Sequence, residues 1–368
     1  MKTLRRLIYG EVIGSITFVT LGFLSLFFFF DFVDELSLVR GKSSVDYELL
    51  DAFLYVALQI PNHLYQLLPI TALIGTIFVM ARLAQSSEFT ILRTSGLGPW
   101  RALRLLSMLG LGLVLLTFVV GDYLAPLADR NAQLLKARFK GQISIGKTGA
   151  WLKERQAYSQ VAVNVRALAP DASMRDVHIF EFDNRGLLIS MTVAEQARFG
   201  SDEAWQLQQV ERTEFSARGT DAAHVDRQKL ENFRWPTSIS AEMVSVAALK
   251  PERMSTVDLY QYIRHLDANA QSAQRYEIEF WRKVFYPLSC LVMVVLALPF
   301  AYLHFRSAGI ATYVFGGVMA GISFFLLNNV FGYVGNLNHW QPWLTAALPG
   351  IIYSVLSLSA FGWLVLRR

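Results

Sequence analysis

Residues 141–148, GQISIGKT, satisfy G-x-x-x-x-G-K-[ST] at every position. In a nucleotide hydrolase that pattern wraps backbone amides, a lysine and a hydroxyl around phosphates and magnesium. The chemistry also needs a buried strand before the loop and a helix after it, whose first amides hold the phosphates. Here LLKARFK precedes the loop, and GAWLKERQAYSQVAV comes after it with the apolar and polar alternation of a strand. No apolar strand ending in Asp supplies a magnesium ligand. The match reads as chance, a turn entering a first strand.

Other chemistry is no better served. His63, His178, His224, His265, His304 and His339 are scattered, with no H-E-x-x-H spacing, and G-x-S-x-G is absent. Cys290, the single cysteine, lies inside an apolar run, which excludes a disulfide framework and a thiolate metal site. The chain is expected not to be an enzyme by itself and to bind no metal or cofactor.

The composition explains why. The chain is 53% hydrophobic and 17% charged, with mean hydropathy +0.34, too apolar for a soluble protein of 368 residues. A helix needs roughly 20 apolar residues to cross a bilayer. Six runs reach that length, near 8–31, 50–80, 102–125, 279–303, 309–333 and 342–366. The first is too long for a signal-peptide core and lacks a small-residue cleavage site, so it is expected to persist as a span.

Six spans put both termini on one side. Lys2, Arg5 and Arg6 before the first span, Arg82, Arg93, Arg101 and Arg104 between the second and third, Arg306, and the terminal Arg367 and Arg368 place that side in the cytoplasm. The basic balance, pI about 9.2, is thus spent on topology and does not argue for nucleic acid.

The block from 128 to 254 is too polar for spans and is expected as one extracytoplasmic domain between the third and fourth. WLKERQAYSQVAVNV, DVHIFEFDNRGLLISMTV and AWQLQQVERTEF alternate apolar and polar residues, with DNRG as a turn. That predicts an all-β, antiparallel domain, a sandwich or jelly roll. Ser255 and Asp258 then cap a connecting helix over 255–276. The organisation is 1–127 for three spans, 128–254 for the β-domain, 255–276 for the connection and 277–368 for three more spans.

Between the second and third spans lies a polar island, AQSSEFTILRTSGLGPW. Ser86 or Ser87 caps a short helix near 86–96, Glu88 suits its positive start, Arg93 its negative end, and Gly96 the left-handed closing residue. Phe89 and Leu92 share a face three residues apart. Read as exposed, they ask for a cytoplasmic partner. The same residues equally serve a loop lying at lipid headgroups, with Arg93 on phosphate.

LAQSSEFTILRTSG, the GDYLAP that ends the third span, and RYEIEFWRKVFYPLS that opens the fourth resemble the lipopolysaccharide export permeases of the LptF/LptG family. The resemblance covers essentially the whole chain. It is nearest the LptG branch, through the pattern of Trp281, Lys283, Phe285, Pro287, Leu288 and Ser289. It implies six spans carrying a periplasmic jellyroll-like domain, in the Gram-negative inner membrane. The implied partners are a homodimeric cytoplasmic ATPase (LptB-like) that holds ATP and magnesium, a paralogous LptF-like permease, an LptC-like membrane-anchored bridge, and lipopolysaccharide. The island becomes the coupling helix, with Glu88 as the charged contact and Phe89 and Leu92, beside Arg93, packing into a groove on the ATPase.

The resemblance also implies lateral gates at the first and fifth spans. Phe18, Leu21, Leu24 and Phe28 form a stripe on the first, and Phe324 and Phe325 lie on the fifth with Gly317 and Gly321 in G-x-x-x-G spacing. Lipid-facing side chains would look the same, and the glycines also suit packing within the chain. Cations expected near the outer surface, Arg40, Lys42, Lys136, Arg138, Arg282 and Lys283, are candidates for lipid phosphates. Interfacial anchoring or pairing with Asp122, Asp129, Glu277 and Glu279 competes with that role. Asp31 stands in DFVDEL where some relatives carry a lysine.

Two other classes fit the residues less fully. An envelope scaffold or sensor would use the β-domain and the short helix as binding faces. An ion-coupled transporter needs ionisable groups at midplane, where this chain has few.

Overall fold

The computed structural model describes residues 2–39, 47–86, 88–94, 96–140, 143–144, 149–156, 159–169, 171, 173–200, 204–216, 224–247, 250–302 and 309–363. Two compact units emerge, a helical one holding Ala52–Asp129 and Glu277–Arg368 with the first helix, and a second holding Arg130–Tyr276.

The helical unit begins with α1 (Lys2–Val39) and α2 (Leu49–Gln85). The short α3 (Glu88–Thr94) is next. Then α4 (Pro99–Val119) passes through a π-turn, Val120–Leu124, into α5 (Ala125–Lys140). After the second unit come α8 (Gln274–Phe285) and α9 (Leu288–Leu296), then α10 (Ile310–Leu337) and α11 (Pro342–Phe361).

Among the described residues, five helices are long and apolar enough to cross a membrane. The fourth expected span is not one rod: α8 and the α9 segment through Tyr302 meet at 51°, and make a sixth crossing if they act as one span. Pro287 at the break has no amide to continue the ladder.

Without a hydrophobic drive inside lipid, such helices hold together by close packing and hydrogen bonds. Both are present. A Cβ on Gly75 of α2 would fall 2.8 Å from Ile16 of α1, and one on Gly110 of α4 would fall 2.8 Å from Leu291 of α9. Thr20 donates to Thr71 at 2.9 Å, Tyr9 to the Leu105 carbonyl at 2.9 Å, and Thr117 Oγ1 lies 3.1 Å from Cys290 Sγ. Arg82 pairs with Glu11 across α1 and α2.

The second unit is one antiparallel sheet: β1 (Ile143–Ser144), β2 (Ala150–Arg155), β3 (Ser159–Leu168), β4 (Met174–Asp183), β5 (Leu188–Phe199), β6 (Ala204–Ser216) and β7 (His224–Pro236). From β3 to β7 each strand pairs with the next, a meander without Greek-key crossings among the described strands. The antiparallel sheet is as expected, its strand order is simpler than a jelly roll, and the 128–254 block is not all-β, because α5 enters it and a short helix over 241–247 closes it. β7 lies within the expected β-domain but outside the segments whose alternation marks them, because its side chains are mostly exposed until Trp235.

The DNRG turn forms as predicted: Asp183 Oδ1 accepts the Arg185 and Leu187 amides at 2.8 and 2.9 Å, and Gly186 takes φ +81°. Trp205, fully buried, donates to the Ile239 carbonyl at 2.7 Å. The sheet's apolar face is closed by α6 (Ala241–Ala247) and α7 (Thr256–Ala268), through Val244, Tyr262 and Leu266. Ser255 and Asp258 complete a capping box at the start of α7.

Glu154 on β2 accepts from Thr237 Oγ1 and the Ser238 amide, both at 2.6 Å. Burial pushes its carboxyl up, and the bonds from Ser238 and Thr237 overcome this and hold it below the usual carboxylate range. Burial of His265 on α7 lowers that imidazole, against the opposing charge of Glu154.

Candidate functional site

In GQISIGKT, Ile143 and Ser144 pair with Leu168 and Ala167 on β3, and β2 pairs farther along the same edge, from Val165 to Gln160. The two short strands share one edge of β3, so the segment after the motif is a strand where a phosphate loop requires a helix. Residues 145–148 lie outside the described set. Among the described residues no group of three or more His, Cys, Asp or Glu is placed to hold a metal.

The polar island folds as a helix closed by a Schellman motif. Leu97 N bonds Leu92 O and Gly96 N bonds Arg93 O, both at 3.0 Å, with Gly96 at φ +101°. Ser86 continues α2, bonding the Arg82 carbonyl at 2.9 Å, and Ser87 lies outside the described residues.

Phe89 corrects the sequence reading. It is not exposed: 4% of its surface is accessible, in a cluster with Ile8 and Val12 of α1, Leu97, Ala102 of α4, Tyr302 and Phe361 of α11. Leu92 is half-buried against the same cluster. The apolar stripe was real, but its covering surface belongs to the chain itself. Outward stand Glu88, Thr90, Ile91, Arg93 and Thr94, with Ile91 62% accessible. Arg93 also lies over the Tyr302 ring at 5.3 Å. Ile91 was missed because it sits outside the Phe89 and Leu92 stripe, the feature that drew attention. The same cluster gathers the start of α1 and the end of α11 at the end of the unit where α3 lies.

Arg282 makes the Glu279 pair that competed with a phosphate role, and Lys283 takes a main-chain partner instead. Lys283 is 8% accessible and its ammonium donates to the Gly121 carbonyl at 2.9 Å, with the Tyr65 ring centroid 5.9 Å away. Arg282 donates to Glu279 at 2.6 Å and to the Asn328 carbonyl of α10 at 2.8 Å. Both are engaged inside the helical unit, with the Arg282 side chain 20% accessible. Lys136 is half-buried on α5. Arg138 is on that helix with its side chain outside the described set, and Arg40 and Lys42 lie outside the described residues. Asp31 meets His63 of α2 at 2.6 Å.

Among the gate candidates, Phe18 and Leu21 are exposed, Phe18 at 80%, while Leu24 and Phe28 are half-buried. Phe28 stands edge-on to Phe53 of α2 at 5.3 Å. Phe18 lines an open groove of about 650 Å³ with Arg6, Gly10, Gly14, Phe78 and Arg82. Phe325 is exposed, but Phe324 is buried, edge-on to Tyr353 of α11 at 5.0 Å, and so belongs to the core. Gly317 and Gly321 face α2: added Cβ atoms would fall 2.6 Å from Ile77 Cδ1 and 2.8 Å from Ile70 Cγ2. Their close approach is used within the chain.

Long apolar helices in two groups along the chain, on either side of an antiparallel β insert, have the build of a multi-span membrane protein. The family model "Lipopolysaccharide export system permease LptF/LptG" matches residues 6–367, and the chain belongs to that family. It is 28% identical over 363 residues to the lipopolysaccharide export system permease protein LptG of Escherichia coli strain K12, covering 98% of this chain and 97% of that protein. It is likewise 28% identical over 371 residues to LptG of Haemophilus influenzae, covering 100% and 99%.

Proposed function

We propose that this chain is the LptG-like subunit of an ATP-driven exporter in a Gram-negative inner membrane, lifting lipopolysaccharide from the outer leaflet toward a periplasmic bridge. Its partners in this reading are an LptF-like permease, an LptC-like bridge and a cytoplasmic LptB-like ATPase dimer that carries the ATP and magnesium chemistry. Both termini and α3 lie in the cytoplasm and the β-domain in the periplasm. The basic residues around the first and third spans support that orientation.

The observation that carries the reading is the division of α3 into two faces. Phe89 roots the helix among α1, α4 and Tyr302, and Glu88 and Ile91 are left outward. A rooted helix with an outward acid and an apolar side chain is suited to pass a partner's movement to the spans. Phe89 thereby becomes the anchor of the coupling helix, and Ile91 its apolar contact.

Affinity purification in mild detergent tests this. The wild-type chain should carry a P-loop ATPase and a second six-span protein, and Glu88→Ala with Ile91→Ala should shed the ATPase while keeping the second permease. Recovery of the chain alone would favour a scaffold or sensor.

A further inference from the structure

Four features meet where the fourth span breaks. In a regular helix Ala125 N would bond the Gly121 carbonyl, but in the π-turn it bonds Val120 O. Pro126 brings no amide to the next carbonyl. The Gly121 carbonyl is thus released from the ladder, and the Lys283 ammonium takes it at 2.9 Å.

One residue earlier, Arg282 reaches the Asn328 carbonyl on α10. Two glycines leave the room. A Cβ on Gly332 would strike the Arg282 guanidinium, and a Cβ on Gly121 would strike the Tyr65 ring beside Lys283. At the break itself, Tyr286 donates to the Gln66 carbonyl of α2 at 2.7 Å. Consecutive residues of α8 therefore grip main-chain carbonyls of two different helices, next to the 51° bend.

We infer that Arg282 and Lys283 are positioning residues: a clamp that ties α10 and the π-turn of the third span to the broken fourth span, so that these helices move together. This rests on the exporter reading, and assigns the two cations to force transmission within the chain, away from lipid phosphates. Charge-assisted bonds to carbonyls suit that task, because in an apolar surrounding a freed carbonyl or an unpaired cation is costly.

The test uses the assembled exporter with its ATPase and second permease, in lipid, comparing Lys283→Met, Lys283→Arg and Gly332→Ala with wild type. Gly332→Ala displaces the Arg282 guanidinium without removing a charge. Two readouts are taken: lipopolysaccharide released per ATP hydrolysed, and amide exchange over residues 120–126 and 328–332.

Under the clamp, Lys283→Met speeds exchange over 120–126, and Gly332→Ala over 328–332, each by roughly tenfold, the equilibrium effect of losing one charge-assisted hydrogen bond. Both variants lower the lipid released per ATP, and Lys283→Arg restores much of it. If Lys283→Met lowers the lipid released per ATP with exchange unchanged, and Gly332→Ala is silent in both readouts, the two cations are lipid contacts and the clamp is wrong. If wild type hydrolyses ATP without releasing lipid, the exporter reading fails, while the exchange measurement still decides whether the clamp exists.

Discussion

The Phe89 ring stands edge-on to Tyr302 at 5.0 Å, with an interplanar angle of 77°. This pair joins the short helix between the second and third long helices to the end of the fourth, and Arg93 lies over the same Tyr302 ring. The contact fixes which side of α3 is inward.

That relationship separates two substitutions on opposite sides of one short helix. Phe89→Ala removes a buried ring and should destabilise the helical unit by about 3 kcal/mol, in the usual range for buried aromatic truncation. Ile91→Ala removes an exposed side chain and should leave the melting temperature unchanged while weakening ATPase capture. Thermal unfolding in detergent, alongside ATPase co-purification, checks both. A larger melting loss for Ile91→Ala than for Phe89→Ala would place α3 the other way round.

Gly317→Leu should cost about 1–3 kcal/mol, the usual penalty for overpacking, because its first added carbon already falls against Ile77. Ile77→Ala in the same chain should recover part of the loss. Melting curves of the single and double variants give the coupling, and additive losses would mean that the two positions do not touch.

The β-domain should lose stability toward acid. Glu154 and His265 both hold protons less readily when folded, so the unfolded chain binds more protons and stability rises with pH. The His265 contribution is complete above its ordinary value of 6.5 and is lost as pH falls through and below it. The Glu154 contribution is present above 4.5 and is lost at lower pH. Amide exchange of β2 and α7 in the full chain, measured from pH 7 down to about pH 2.5, should show both stages. His265→Gln should flatten the upper stage and Glu154→Gln the lower.

Trp205→Phe should cost about 1–3 kcal/mol, because it strands the buried Ile239 carbonyl that the indole now satisfies. Chemical denaturation of the full chain, monitored by exchange at residues 204–216, measures this. A smaller change would mean that another donor replaces the indole.

Local signals were easiest to read. Ser255 with Asp258, Gly96 after Arg93, and DNRG between two alternating runs each concern a few neighbouring residues, and each forms the expected cap or turn. Phe89 was harder. Its spacing from Leu92 shows that α3 has one apolar side, but whether that side meets another protein or the chain's own α1 and α4 depends on contacts distant in sequence. Lys283 posed the same difficulty, because its partner is a main-chain carbonyl made available by a π-turn 162 residues away. GDYLAP held a trace of it in Pro126, yet proline alone does not say which carbonyl is freed. β7 was not singled out because its first half is exposed throughout and only Leu230, Phe233 and Trp235 near its end meet the core, too few for an alternating pattern.

Cys290, the chain's one cysteine, is wholly buried beside Thr117, between the third span and the fourth. A thiol so enclosed is out of reach of water-borne maleimides, which leaves the native sequence a nearly silent background for labelling. A cysteine introduced at Ile91 or Phe325 can then carry a fluorophore, spin label or cross-linker that reports from that position alone. The movements of the short helix and of α10 can thus be tracked without first deleting a side chain that helps two long helices fit together.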